Sequence, residues 1–297
     1  MKNHKIARES QHSGTATWWV QGHKFAEWKF SGPSSLLWVH GKRQCFFFFR
    51  AFVLSSKLRN IVSTAGSGKS VLWCVNFTFS LLSKYITLVM LPMPFPSSSI
   101  IEDIHEMRAS GLASLAFFYC DFRDDQKKGR RGLLSSLLIQ LCNQSNAYCA
   151  ILSDFYFAHD SGSKYASDSE LIQCLKIMFG LPNHATTFII IDALDECSTS
   201  TGMPSPRDNV LGFVDELVRL QAPNLRICVT SRPEVEIEPI LGPLAFRSVS
   251  LHDEIGQAQD IAEYVKSVVN SDPKMQAWRK ADKELVIDVV MKKANGM

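Results

Sequence analysis

No C-x-x-C pair occurs among the eight cysteines, and none is spaced with a histidine as zinc ligands are, so a zinc site is not expected. The opening residues MKNHKIARES lack the apolar core of a signal peptide, and free buried thiols in a reducing, cytoplasmic compartment are the simplest account of the cysteines. A large charge of one sign is also missing. The net charge of +3 on 33.3 kDa is too small to imply a nucleic-acid or membrane-surface partner. Uninterrupted long apolar runs are scarce as well: Val71 to Phe95 reaches the ~20 residues of a membrane span but is broken by Asn76, Lys84, Pro92 and Pro94, so a membrane-anchored protein ranks last. What is present is globular composition, 46% apolar and 21% charged over 297 residues, enough for one large or two ordinary domains.

The stretch Ala65-Gly66-Ser67-Gly68-Lys69-Ser70 reads as the second half of a phosphate-binding loop. In such a loop, backbone N–H groups freed by glycine meet the phosphates, the lysine reaches the outer ones, and the serine hydroxyl holds magnesium. The pattern G-x-x-x-x-G-K-[ST] needs one more glycine five residues before Gly68, and that position is Ser63. The missing half stands upstream, where the apolar run Leu36-Leu37-Trp38-Val39 leads through His40 into Gly41 and Lys42. With residues 43–64 set aside, Gly41-Lys42 joins Ala65 to Ser70 and every position of the motif is filled.

A second interruption, residues 73–96, carries one charge, Lys84, and three prolines, Pro92, Pro94 and Pro96. Removing it places Leu72, Ile100, Ile104 and Met107 on one apolar helical stripe, as the helix after a phosphate loop requires. Both inserts, the first with the run Phe46 to Phe49, are read as retained introns carried into the protein sequence. Transcript reads that hold both inserts at full abundance would sink that reading.

Trp18, Trp19, Phe25, Trp28 and Phe30 form an aromatic cluster ahead of the first strand, read as packing on the sheet rather than as a base-stacking surface. Leu115 to Phe122 reads as a second strand after the helix stop Gly111, and Arg123 to Arg131 as a charged, solvated loop. Leu133, Leu134, Leu137, Leu138 and Leu141 predict a helix with a broad apolar face, Ser167 to Phe179 another, and Asn209 to Leu220 a third. Between them lies Thr187-Phe188-Ile189-Ile190-Ile191-Asp192, a continuous apolar run ending in a carboxylate, as in a parallel strand covered on both faces. Asp192 would hold magnesium there, with Asp195 or Glu196 polarising an attacking water. The bland alternative is an acidic cap on the next helix, which needs one carboxylate rather than three in five positions. Leu225 to Ser231 is the next strand; if it lies beside the strand of Leu36 to His40, Arg232 stands where a γ-phosphate would be sensed, and otherwise it is a loop arginine. Phe246 to Leu251 is read as the last strand. Beyond it the pattern is helical, with Ile261, Val265 and Val268, then Leu285, Val286, Val289 and Val290 as apolar positions.

These motifs in this order, G-K-A-G-S-G-K-S once joined, F-I-I-I-D-A-L-D-E-C and R-I-C-V-T-S-R-P, resemble the NACHT NTPases, and more narrowly the fungal nephrocystin-3-like NACHT proteins of the STAND signalling class. The resemblance implies an α/β P-loop fold with a parallel sheet in the order 5-1-4-3-2, flanking helices and a helical domain beyond. It implies a switch that binds ATP or GTP with Mg2+ and hydrolyses it weakly. Gly41, Gly66, Ser67, Gly68 and Lys69 would take the phosphates, Ser70 and Asp192 the metal, Asp195 and Glu196 the attacking water, and Arg232 the sensor position. On this reading residues 1–30 precede the domain, 31–251 form its core interrupted at 43–64 and 73–96, and 252–297 begin the helical domain. The winged-helix domain and the repeats through which such proteins engage protein partners or self-associate would be missing, as in a fragment. The competing expectation is a truncated, non-catalytic scaffold whose interrupted loop no longer binds nucleotide.

Overall fold

The computed structural model describes residues 17–41, 96–121, 129–182, 184–199, 204–251, 255–271, 273–276 and 278–295. The segments expected to carry Gly66, Ser67, Gly68, Lys69 and Ser70, and nearly all of both proposed inserts, lie outside the described residues. So does Val71 to Phe95, the one candidate membrane span; among the described residues no helix is long and apolar enough to cross a membrane.

The described residues fall into two compact units, one of residues 17–41 and 96–251, the other of 255–295. In the first unit five strands, β1 (Ser35–His40), β2 (Ala113–Tyr119), β3 (Thr186–Asp192), β4 (Leu225–Ser231) and β5 (Arg247–Ser250), form an all-parallel sheet. The order is β2-β3-β4-β1-β5, which counted from the β5 edge is 5-1-4-3-2. Parallel pairing requires crossovers. Helices supply them: α1 (Thr17–Val20), α2 (His23–Lys29), α3 (Pro96–Ala109), α4 (Arg130–Cys142), α5 (Asn146–Ala158), α6 (Asp168–Phe179), α7 (Pro206–Arg219) and α8 (Glu238–Leu244) precede or link the strands.

The continuous apolar strands are explained by cover on both faces. Ile189 and Ile191 of β3 join a core with Leu133, Leu137 and Leu141 of α4, Leu175 of α6 and Val214 of α7. Phe188 and Ile190, alternating with them, join a second core with Trp19, Phe25, Trp28, Ile100 and Ile104, against which Met107 packs. The helical stripe predicted after the phosphate loop therefore faces the sheet from Ile100 onward. The aromatic cluster is core: Trp28 is fully buried, donates its indole N–H to the Ser35 carbonyl at 3.1 Å, and meets Phe188 edge-on at 5.6 Å. Its one outward member among those described in full is Phe30, 74% exposed.

Several expectations need correction. The basic run is not a loop to its end, because Arg130 and Arg131 open α4, where Arg130 pairs with Glu216 and Arg131 with Asp168; residues 122–128 lie outside the described set. The helix expected from Asn209 starts at Pro206, because Ser205 and Asp208 form a capping box with proline in the first turn. Helix α5, which no sequence pattern marked, begins at Asn146, where Ser145 caps the Tyr148 N–H. Cys149 is exposed rather than buried.

The second unit contains α9 (Ile255–Ser271), α10 (Pro273–Gln276) and α11 (Lys280–Asn295), with Val265, Val269, Met275 and Val286 buried. Of the two adjacent apolar residues, Val286 takes the inward position and Leu285 is 56% exposed, as successive residues of a helix point about 100° apart.

Candidate functional site

In a parallel sheet, ligands gather at the carboxyl ends of the strands where the chain's winding changes direction. Here β1 crosses over β4 and β3 to reach β2, whereas β4 crosses over β1 to reach β5. The ends of β1, β4 and β3 therefore share one edge, bearing Gly41, Arg232 and Asp192. The neighbour relation on which the reading of Arg232 depended is present, since β4 pairs with β1 from Ser35↔Arg226 to His40↔Ser231.

Asp192 closes β3, and its side chain is buried, the residue being 5% exposed. Thr230 Oγ1 donates to its Oδ1 at 2.5 Å and accepts the Ala193 N–H at 2.9 Å, so one hydroxyl fixes both the carboxylate and the chain leaving it. Burial pushes the Asp192 pKa up, against the pull of the Thr230 hydroxyl and of Ser97. Ser97, in the first turn of α3, is 1% exposed and its hydroxyl finds no hydrogen bond of normal geometry. The same carboxylate, after burial, helps hold the Tyr119 hydroxyl far above its ordinary pKa.

After Asp192 the chain turns sharply. Ala193 is left-handed at φ 55°, an uncommon conformation for a residue with a Cβ, and starts a single 3-10 turn, Leu194–Glu196. Leu194 is fully buried and anchors the turn, which directs Asp195 to Arg232. The Arg232 backbone N–H donates to Asp195 Oδ1 at 3.1 Å, and its Nε pairs with Oδ2 at 3.1 Å. Burial raises the Asp195 pKa, Arg232 opposes that through charge and hydrogen bond, and Glu234 adds to it. Glu196 is half-buried on the same turn.

The structure thus brings Asp192, Asp195, Glu196 and Arg232 together, with Gly41 on the adjacent strand end. The five residues from Gly66 to Ser70 lie outside the described set. Sequence reasoning missed three contributors: Thr230, Ser97 and Arg207. Arg207 is 6% exposed; its Nη1 donates at 2.7 Å to both Glu234 and Glu236, and its Nη2 donates to the Asp195 carbonyl. Its place just after the helix-opening Ser205-Pro206 marks it as a first-turn residue, but no local pattern reveals partners at sequence positions 195, 234 and 236. Nearby, the Cys120 and Cys197 thiols lie 3.2 Å apart at the ends of β2 and of the acidic turn. This contact holds the Cys120 thiol up and the Cys197 thiol down, with Arg207 also favouring the Cys197 thiolate.

The fold defines an α/β protein with an all-parallel five-stranded sheet, compatible with a P-loop NTPase-like architecture. The family described as "Nephrocystin 3, N-terminal" matches residues 95–232, a span that starts beside α3 and ends on Arg232. It takes in Asp192, Asp195 and Glu196 but neither Gly41 nor Gly66 to Ser70. The comparison with curated proteins finds no match. Among solved structures, one titled "Structure of C. elegans PCH-2" aligns at 13% identity with a TM-score of 0.26, over 75% of this chain and 59% of that one. The chain spans less than two thirds of that structure's length.

Proposed function

We propose that this chain is the nucleotide-binding regulatory module of a NACHT-type switch of the STAND class, taking ATP or GTP with Mg2+. The observation that carries the reading is a buried carboxylate, Asp192, ending a central parallel strand beside the Asp195–Arg232 pair, with Gly41 ending the adjoining region of the sheet. The match to the nephrocystin 3 N-terminal family over this segment supports it. The donor set suits a hard cation, since carboxylate and hydroxyl oxygens are magnesium ligands. Bound magnesium would neutralise phosphate charge. Asp192, directly or through water, and Ser70 would hold it. Gly41, Gly66, Ser67, Gly68 and Lys69 would cradle the phosphates, and Asp195 and Glu196 would orient water for weak hydrolysis. Arg232 would respond to the presence of a γ-phosphate.

Two observations favour the non-catalytic scaffold instead. Arg232 is engaged by Asp195 through both backbone and side chain, and residues 43–64 separate Gly41 from the rest of its motif. Isothermal titration with Mg·ATP and Mg·GTP separates the two readings. Magnesium-dependent binding that Asp192→Asn weakens by at least about tenfold is expected for the switch, and heat-silent titrations with both nucleotides support the scaffold.

A further inference from the structure

The Asp195–Arg232 pair is held at both ends by a third residue. Arg207 grips the backbone carbonyl of Asp195 with one terminal nitrogen, and with the other it grips Glu234 and Glu236, two and four residues beyond Arg232. Its backbone N–H is also tied down, donating to the Ser198 carbonyl at 3.2 Å, so the guanidinium projects from a fixed point at the start of α7. The Glu234 N–H bonds the Arg232 carbonyl at 2.9 Å, so the segment carrying both glutamates is folded back on Arg232 itself.

Among the described residues the cluster holds more carboxylates than guanidinium groups. Asp195, Glu234 and Glu236 face the guanidinium groups of Arg207 and Arg232. Glu234 acts electrostatically on Asp195 already. With both glutamates paired to Arg207, Arg232 keeps its ion pair with Asp195. Without Arg207 they would be two uncompensated carboxylates beside Arg232, and an arginine pairs with whichever carboxylate costs least to approach.

We propose that Arg207 is the positioning residue of this site: by occupying Glu234 and Glu236 it reserves Arg232 for exchange between Asp195 and the terminal phosphate of a bound nucleotide. The positioning itself is a property of the free protein, whereas its use in telling a triphosphate from a diphosphate rests on the nucleotide-binding reading above.

The test is a double-mutant cycle on the full chain, between Arg207→Met and the pair Glu234→Gln/Glu236→Gln. The first readout needs no nucleotide: the 15N–1H signal of the Arg232 side-chain Nε, assigned by its loss in Arg232→Lys. Arg207→Met is expected to shift that signal. The glutamate pair alone is expected to shift it too, because a buried Arg207 left with only the Asp195 carbonyl turns toward the Asp195 carboxylate. Combining all three changes is expected to restore it. The glutamates are 28% and 60% exposed, so their substitution keeps the test alive should Arg207→Met fail to fold. An Arg232 signal that ignores these changes, or shifts that simply add, overturns the positioning role and leaves Arg207 a structural residue. The second readout is the ratio of Mg·ATP to Mg·ADP affinity, expected to fall about tenfold in Arg207→Met and to recover in the combined variant, since one charge-assisted hydrogen bond is at stake. An unchanged ratio in protein whose signal has shifted overturns the discriminating role alone. A wild-type chain that binds neither nucleotide overturns the nucleotide-binding reading, and the discriminating role with it, while the spectrum still decides the positioning.

Discussion

Thr230 Oγ1 donates a 2.5 Å hydrogen bond to Asp192 Oδ1 from the neighbouring strand and accepts the Ala193 N–H, so the most deeply buried carboxylate of the site is oriented by its neighbour before any ligand arrives. Burial nevertheless makes that charge costly to keep, although the Thr230 hydroxyl favours it. Burial places the Asp192 pKa above that of the unfolded chain. Its contribution to stability is therefore fully present below the unfolded value near 3.8 and is lost as pH rises through the folded value. Asp192→Asn keeps an oxygen acceptor for Thr230 without the charge. We expect its melting temperature at pH 7 to equal or exceed wild type and to lose part of the pH dependence, while magnesium-dependent nucleotide affinity falls by at least about tenfold. Scanning calorimetry from pH 4 to 8 beside nucleotide titration checks both halves.

Asp195→Asn should act in the opposite sense on affinity. Replacing the carboxylate weakens its hold on Arg232 and makes the guanidinium available to phosphate. Affinity for Mg·ATP is expected to rise several-fold over Mg·ADP, and any turnover to fall, as measured by paired titration and phosphate-release assays. A fall in ATP affinity would show that the pair holds Arg232 in its productive position.

The aromatic cluster before β1 supplies a test of packing. Trp28 is fully buried, hydrogen-bonded to Ser35 and in edge contact with Phe188, so Trp28→Ala should destabilise the first unit by about 3–5 kcal/mol in urea unfolding. A loss under about 1 kcal/mol would mean that the cluster is a peripheral surface.

At the start of α6, Glu170 accepts hydrogen bonds from the Ser167 hydroxyl and N–H, which hold its pKa at about 2 against an ordinary 4.5. A lowered carboxylate pKa stabilises the folded state above the unfolded value and loses that contribution as pH falls through the folded one. NMR titration of Glu170 should give a midpoint well below 4.5, and Ser167→Ala should return it toward that value.

How far the sequence carries this far depends on how local the determinants are. The β3 run and its terminal Asp192 were legible because burial on both faces leaves an unbroken apolar string, and α6 because its cap, stripe and glycine stop lie within a few turns. The start of α7 was misplaced because its cap stands outside the apolar stripe, at Ser205. Arg207 was invisible because its meaning lies in Asp195, Glu234 and Glu236, which only the fold brings to it. Which of the adjacent apolar residues Leu285 and Val286 faces inward was not legible, because the pair fits the helical pattern either way.

The central claim is that the motif split between Gly41 and Gly66 belongs to one nucleotide site completed by Asp192. Its most direct test is equilibrium binding of fluorescent ATP with magnesium to the chain as written and to the chain lacking residues 43–64 and 73–96, each with and without Lys69→Ala. The account predicts binding in the shortened chain that Lys69→Ala removes, with weaker lysine-dependent binding in the full chain. The absence of lysine-dependent binding from both chains would contradict it.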